Sequence, residues 1–394
     1  LFIFYKMRFY NIVGKIPKYG LSVFKSKGGK LYYEELFGNE GFHGSSSLLY
    51  HINRPTRISN IDKTEKINDY FLDIKNLHPR LFDSSKLDSK SDYIKSRRSI
   101  LSNGDCKISL FSSSKSLEDY FYKNADANEV IFVHKGKGKF RSMMGNLDFK
   151  SGDYIVVPKG VIYQVNFSSN QNRWFIVESG DKITFPKRYL NEYGQILESA
   201  PFCERDIKTP SDIETYDKTG KFLIKIKKHN IVHNFIYETH PFDLVGWDGY
   251  NFPYIFSIHD FEPITGRIHM PPPIHQTFAS KSFVICSFCP RIYDYHPNSI
   301  PAPYHHSNID SDEVIFYVDG NFMSRNKSMI GYISLHPQGI PHGPHPGATE
   351  NSIGKKQTNE LAVMVDTFNP LKISTNVINL EDKNYYKSWK ENLI

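Results

Sequence analysis

The chain has 394 residues, 39% hydrophobic and 14% aromatic, with 25 Gly and 22 Pro. That is enough for two domains with a sizeable core, and the turn residues suit an all-β plan. The net charge of +7 comes from 49 Lys+Arg set against 42 Asp+Glu; the basic residues are scattered, with no arginine-rich block or ladder of aromatics, which argues against a nucleic-acid partner.

In chain order, LFIFYKMRFY has no basic residues ahead of a short apolar run, so no signal peptide is expected and Met7 is the expected start. No apolar stretch is long enough to span a bilayer. Residues 10–30 are expected to form an arm over the surface, and Ser47 to Ile52 a strand. Residues 54–104 carry Lys, Asp and Ser with helical hints and are not placed. A first barrel is expected over 108–172, with a further strand at RWFIVES (Arg173 to Ser179) and a short helix at Tyr189 to Gly194. A polar stretch at 209–221 separates the halves. The expected division is 1–230, arm and first barrel, and 231–394, second barrel. Cys106, Cys203, Cys286 and Cys289 are too few for a disulfide framework and fit a reducing cytoplasm. Cys286 and Cys289 lie in FVICSFCP, where packing in a strand is expected rather than a zinc site. LAVMVDTF (Leu361 to Phe368) reads as a buried strand, and NLEDKNYYKSWKENLI as a C-terminal helix with acidic residues early and Lys late.

The stretch from Pro303 to Pro346 carries the chemistry. It holds His305, His306, Asp312, Glu313, His336, His342 and His345 between two strand-like runs. Two His and one carboxylate with open positions suit Fe(II), and the same ligand types suit Mn(II) or Zn(II). The stretch is also one copy of an internal repeat. EVIFVHKG (Glu129 to Gly136) matches EVIFYVDG (Glu313 to Gly320), and GDYIVVPKGVIY (Gly152 to Tyr163) matches GYISLHPQGIPH (Gly331 to His342). The frame H-x-N-x4-E-x6-G, then G-x5-P-x-G-x2-H, resembles the cupin double motif. It fits His306, Asn308, Glu313, Gly320, Gly331, Pro337, Gly339 and His342 in the second copy. In the first copy both His positions are Tyr, at Tyr122 and Tyr163, around Glu129. The resemblance implies an all-β bicupin of two jelly-roll barrels, the N-terminal one degenerate and the C-terminal one keeping its metal site, with a short C-terminal helix. Successive strand residues face opposite ways. His306 is therefore favoured over His305, and Glu313 over Asp312, which remains the competing carboxylate.

Five further blocks resemble homogentisate 1,2-dioxygenase, in its shorter bacterial branch. They are FGNE (Phe37 to Glu40), PFDLVGWDGYNFPY (Pro241 to Tyr254), PAPYHHSN with Glu313, SLHPQGIPHGPHPG, and YYKSW (Tyr385 to Trp389). The resemblance implies an Fe(2+) enzyme that opens the ring of homogentisate with O2 to 4-maleylacetoacetate, in tyrosine and phenylalanine catabolism. It implies His306, Glu313 and His342 as iron ligands. It gives His269 as acid/base residue, with His275 competing, and His336 as a hydrogen-bond partner of a ligand or substrate oxygen. Phe322, His342 and His345 would contact substrate, Phe322 standing where the family often has Tyr. Arg325 is a candidate cation for the substrate carboxylate. The implied setting is a cytoplasmic homo-oligomer, a trimer or hexamer, with a small aromatic substrate and O2 as partners and neither membrane nor nucleic acid. The alternatives are another ring-cleaving cupin dioxygenase, a Zn or Mn cupin isomerase, or a non-catalytic bicupin binding protein.

Overall fold

The structure is a computed structural model that describes residues 10–87, 89–90, 92–325 and 329–390. The expected start at Met7 lies outside them. The N-terminal half is built on β1 Cys106–Ser113, β2 Leu117–Asn124, β3 Asn128–Lys135, β4 Gly138–Ser142, β5 Gly145–Phe149, β6 Asp153–Val157, β7 Ile162–Phe167 and β8 Asn172–Ser179. A long hairpin follows, β9 Thr219–Lys228 and β10 Ile231–Thr239. One sheet runs β5-β4-β7-β2-β9-β10 and the facing one contains β6-β3-β8-β1. The hairpin turn is His229–Asn230, both at positive φ (53° and 56°), the backbone that a tight two-residue hairpin requires. The expected division at 230/231 falls at this turn. Both strands lie in the N-terminal sheet, and the later strand Tyr254–Ser257 also pairs with β6.

The C-terminal half has β11 Gln276–Ala279, β12 Phe283–Phe288, β13 Asp312–Asp319, β14 Ile333–His336 and β15 Leu361–Thr367. Its sheet runs β11-β12-β15-β13-β14 and is extended past β14 by Arg80–Phe82 from the N-terminal region. The strand pairing is that of an all-β bicupin. The halves pack sheet on sheet: Phe175 of β8 stacks on Phe316 of β13 at 5.0 Å, and Tyr154 and Ser287 share a hydroxyl hydrogen bond at 2.8 Å. Strands at this seam are covered on both faces, which is why β6 and β13 read as near-continuous apolar runs.

Residues 54–104 contain no α-helix among the described residues. Their short strands each pair with a distant partner: Ile58–Ile61 with β10, Arg97–Ser102 with β1, Arg80–Phe82 with β14. The helix expected at Tyr189 to Gly194 is a 3-10 turn at Lys187–Tyr189. The C-terminal helix is short, a 3-10 segment at Tyr385–Trp389 after another at Thr375–Leu380. Cys286 and Cys289 are free and buried. No helix of the described residues is long and apolar enough to cross a membrane.

The degenerate barrel keeps the carboxylate of the repeat. Glu129 is fully buried. It accepts hydrogen bonds from Arg97, from Asn124 Nδ2 at 3.0 Å and from the Tyr163 hydroxyl at 2.8 Å. Arg97 also donates to the Tyr163 hydroxyl at 2.9 Å, and its guanidinium carbon lies 5.2 Å from the Tyr122 ring centroid. One cation thus touches all three repeat positions whose counterparts are His306, Glu313 and His342. Removing one partner of a buried ion pair leaves an uncompensated charge, at a cost of about 3–5 kcal/mol. Arg97→Ala is expected to lower unfolding stability by about that amount, measured by denaturant titration.

Candidate metal centre

Two backbone features aim the second copy of the motif. His306 and His342 form an isolated antiparallel bridge, each N–H donating to the other's carbonyl at 2.9 Å. This sets their rings side by side, centroids 4.3 Å apart. Glu313 stands at the start of β13, opposite His336 of β14. The turn that ends β13 needs Gly320: its φ is +84°, and a Cβ there would meet the Asn359 carbonyl oxygen.

His306 Nδ1–H donates to the Tyr304 carbonyl at 3.1 Å, and His342 Nδ1–H to the Ile340 carbonyl at 3.2 Å. With the proton held on Nδ1, each Nε2 presents its lone pair. Those nitrogens lie 3.6 and 3.5 Å from the Glu313 carboxylate, and His342 Nε2 is buried with no hydrogen-bond partner. The three donor atoms all lie within 4.8 Å of one another and could hold a metal ion. An orphaned buried imidazole nitrogen beside a carboxylate fits a cation in the gap. His336 Nδ1–H donates to Glu313 Oε1 at 2.8 Å, and its ring stacks on His342 at 4.6 Å. Burial pushes the Glu313 pKa up, but the three imidazoles gathered on the carboxylate, with the hydrogen bond from His336 among them, outweigh it and hold the group well below the usual carboxylate range.

Asp312 faces the other way. Its oxygens accept the N–H groups of Gln338 at 2.8 Å and Leu371 at 2.7 Å. It is outside the donor group and ties two loops to the strand end.

A cavity of about 180 Å³ opens over the donors. Its apolar wall includes Phe288, Ile315, Phe322, Ala362 and Met364. His269 and His275 both line it. His269 is half exposed, with Nδ1 3.8 Å from Asp294 Oδ2 and its ring 4.8 Å from that of Tyr304. His275 is buried against Phe288, and burial pushes its pKa down to about 3. Phe322 is edge-on to Tyr317 at 4.7 Å. His336 and His345 are not among the lining residues; His345 is buried edge-on to Trp389 at 4.6 Å. Sequence reasoning missed Tyr317, which lines the cavity. Strand alternation could have found it, because Glu313, Ile315 and Tyr317 share one face of β13.

Models of the homogentisate 1,2-dioxygenase N-terminal and C-terminal domains match residues 44–258 and 260–393. A protein of Saccharolobus solfataricus named as a candidate dioxygenase is 43% identical over 387 residues, covering 97% of this chain and 99% of that one. The homogentisate 1,2-dioxygenase of Bradyrhizobium diazoefficiens is 27% identical over 303 residues, covering 70% of this chain. The match spans 64% of that relative's length, just under two thirds. A cupin 2 conserved barrel domain protein from Leptotrichia buccalis aligns with a TM-score of 0.34 at 12% identity, over 75% of this chain and 99% of that one. The two domain matches together take in nearly all of the double-barrel architecture and the donor set it carries, and the chain belongs to the homogentisate 1,2-dioxygenase family.

Proposed function

We propose that the protein is an Fe(II)-dependent dioxygenase that opens the ring of homogentisate with O2, giving 4-maleylacetoacetate in tyrosine and phenylalanine breakdown. The observation that carries this reading is the set of three converging donors, His306, Glu313 and His342, at the floor of an apolar-walled cavity. Two imidazoles and one carboxylate on one side of an ion leave positions for substrate and O2. When bound there, Fe(II) supplies a path for electrons from the ring to O2.

The protein's own groups do the rest. Phe288, Ile315, Phe322, Ala362 and Met364 give the ring an apolar bed and exclude water. His336 holds the Glu313 carboxylate in one orientation through its 2.8 Å hydrogen bond. His269 is the group placed to take the proton from a ring hydroxyl. It lines the mouth, reaches solvent, and has Asp294 nearby to stabilise the charge it gains. His275 does not fit that role. With its pKa pushed down to about 3 by burial, it stays neutral and is a poor base at neutral pH.

Purified protein loaded with Fe(II) is expected to consume O2 in step with homogentisate loss, with gentisate a poorer substrate and an iron chelator abolishing uptake. No uptake by iron-loaded protein would overturn the homogentisate assignment. Glu313→Ala is expected to lose bound iron and turnover while staying folded, by metal analysis and circular dichroism; Asp312→Ala is expected to keep iron and lose stability. A Glu313→Ala variant with full iron would remove the donor assignment. His269→Gln is expected to lower kcat about 10²–10⁴-fold with iron retained, and His275→Gln to lower it far less.

A further inference from the structure

The cavity contains a cation that the metal chemistry does not use. Arg325 lines it and is only 8% exposed. Its Nε donates to the Tyr317 hydroxyl at 3.2 Å, and its Nη1 to the carbonyls of Ser324 at 3.1 Å and Gly343 at 3.2 Å. These partners satisfy N–H groups and leave the charge unmatched. No carboxylate lies within ion-pair distance of Arg325 among the described residues. Arg80 is buried to the same degree and is paired with Glu381. In the same cavity, Arg291 is matched by Glu360 at 2.9 Å. A buried guanidinium without a counter-ion is costly unless a ligand supplies one.

We propose that Arg325, oriented by the Tyr317 hydroxyl, is the subsite for the ionised carboxylate of an aromatic acid, and that this pair makes the cavity select an anionic ring substituent. The proposal rests on the ring-cleaving reading above and adds to it the residues that read the acid group. Among the charged side chains lining the cavity, Arg291 and Glu360 cancel, which leaves Glu313 and Arg325. A divalent ion on the donor set then leaves two positive charges in excess. A phenolate and a carboxylate on one ring balance them; a neutral phenol does not. Arg325 is tied to the carbonyl of Gly343, the residue after the donor His342. Its guanidinium is therefore anchored to the segment that carries His342, on the lining of the same cavity. Arginine, with planar forked donors, matches a carboxylate better than a point charge does. Tyr317 also supplies a hydroxyl to the wall on which Phe322 has none.

The test is binding without turnover. 4-Hydroxyphenylacetate and its neutral counterpart, 4-hydroxyphenethyl alcohol, are titrated into the full chain by calorimetry. Both are measured with metal-stripped protein and with anaerobic Fe(II)-loaded protein. Trp389 fluorescence is a second readout, because its ring lies 5.7 Å from the Arg325 guanidinium. The expected result is that wild type binds the acid about tenfold or more tighter than the alcohol in both forms, as a charge-assisted contact requires. Arg325→Gln is expected to bring the two ligands level, Arg325→Lys to keep part of the preference, Tyr317→Phe to lose a smaller part, and the charge-neutral double change Arg291→Gln with Glu360→Gln to leave it intact. Equal binding of acid and alcohol by wild type would overturn the proposal, whether or not Arg325→Gln folds. So would a preference that survives Arg325→Gln or disappears in the Arg291→Gln, Glu360→Gln double variant. Acid preference without O2 uptake on homogentisate would overturn the substrate reading and leave the subsite; uptake without acid preference would do the reverse.

Discussion

A carboxylate taken out of water at the bottom of a β-barrel has to be met by positive charge, and both halves of this chain are arranged around that requirement. Glu129 is fully buried and Glu313 is 7% exposed. Neither could stay ionised in an apolar interior alone. In the N-terminal barrel the guanidinium of Arg97 answers the charge, framed by Tyr122 and Tyr163 where the repeat has histidines in the other half. In the C-terminal barrel three imidazoles converge on the carboxylate and leave a gap that a cation fits. Where the first copy has Tyr in place of His, an arginine occupies the centre. A fixed side-chain cation occupies this position: the Tyr163 hydroxyl accepts from the guanidinium and donates to the glutamate, and the Tyr122 ring lies against the guanidinium.

The degenerate half then acts as the wall against which the other is held. Val314 and Phe316 of β13 are buried at the seam and Glu313, Ile315 and Tyr317 face the cavity. The C-terminal tail closes the back. Trp389 Nε1–H donates to the Gly343 carbonyl at 3.1 Å, and the Trp389 ring lies edge-on to His345 and to His336. This anchoring explains why YYKSW ends as a single tight turn. A helix so short has little stability of its own, and here the positions of two aromatic rings decide the backbone.

Two linked spacings in the sequence carried the architecture, because a motif repeated at the same intervals leaves few folds open. Strand alternation carried the choice of Glu313, and the structure turns Asp312 onto two backbone amides on the opposite face. What could not be read locally was anything whose meaning comes from a distant partner. Residues 54–104 carry helical hints but form short strands, since each segment borrows its stability from a sheet whose other strands are distant in sequence. Arg97 looked like any other basic residue, because Glu129 is 32 positions away. His345 sits in a Gly-Pro run and is expected from the sequence to contact substrate. Its ring is instead buried behind the cavity by Trp389, which is remote in sequence.

One strand also governs what the cavity can accept. Glu313, Ile315 and Tyr317 lie at alternate positions on the inward face of β13. Four residues of strand span about 13 Å. The Glu313 carboxylate, the apolar Ile315 side chain and the Tyr317 hydroxyl that accepts from Arg325 are thus set at fixed intervals along an element whose other face is packed against Phe175 and its neighbours. A strand paired along both edges and packed on its other face cannot slide without moving the seam between the halves. The spacing of these three side chains is therefore fixed by the sheet, while His269 and Tyr304, in contact with each other on the same cavity, come from segments outside the strands.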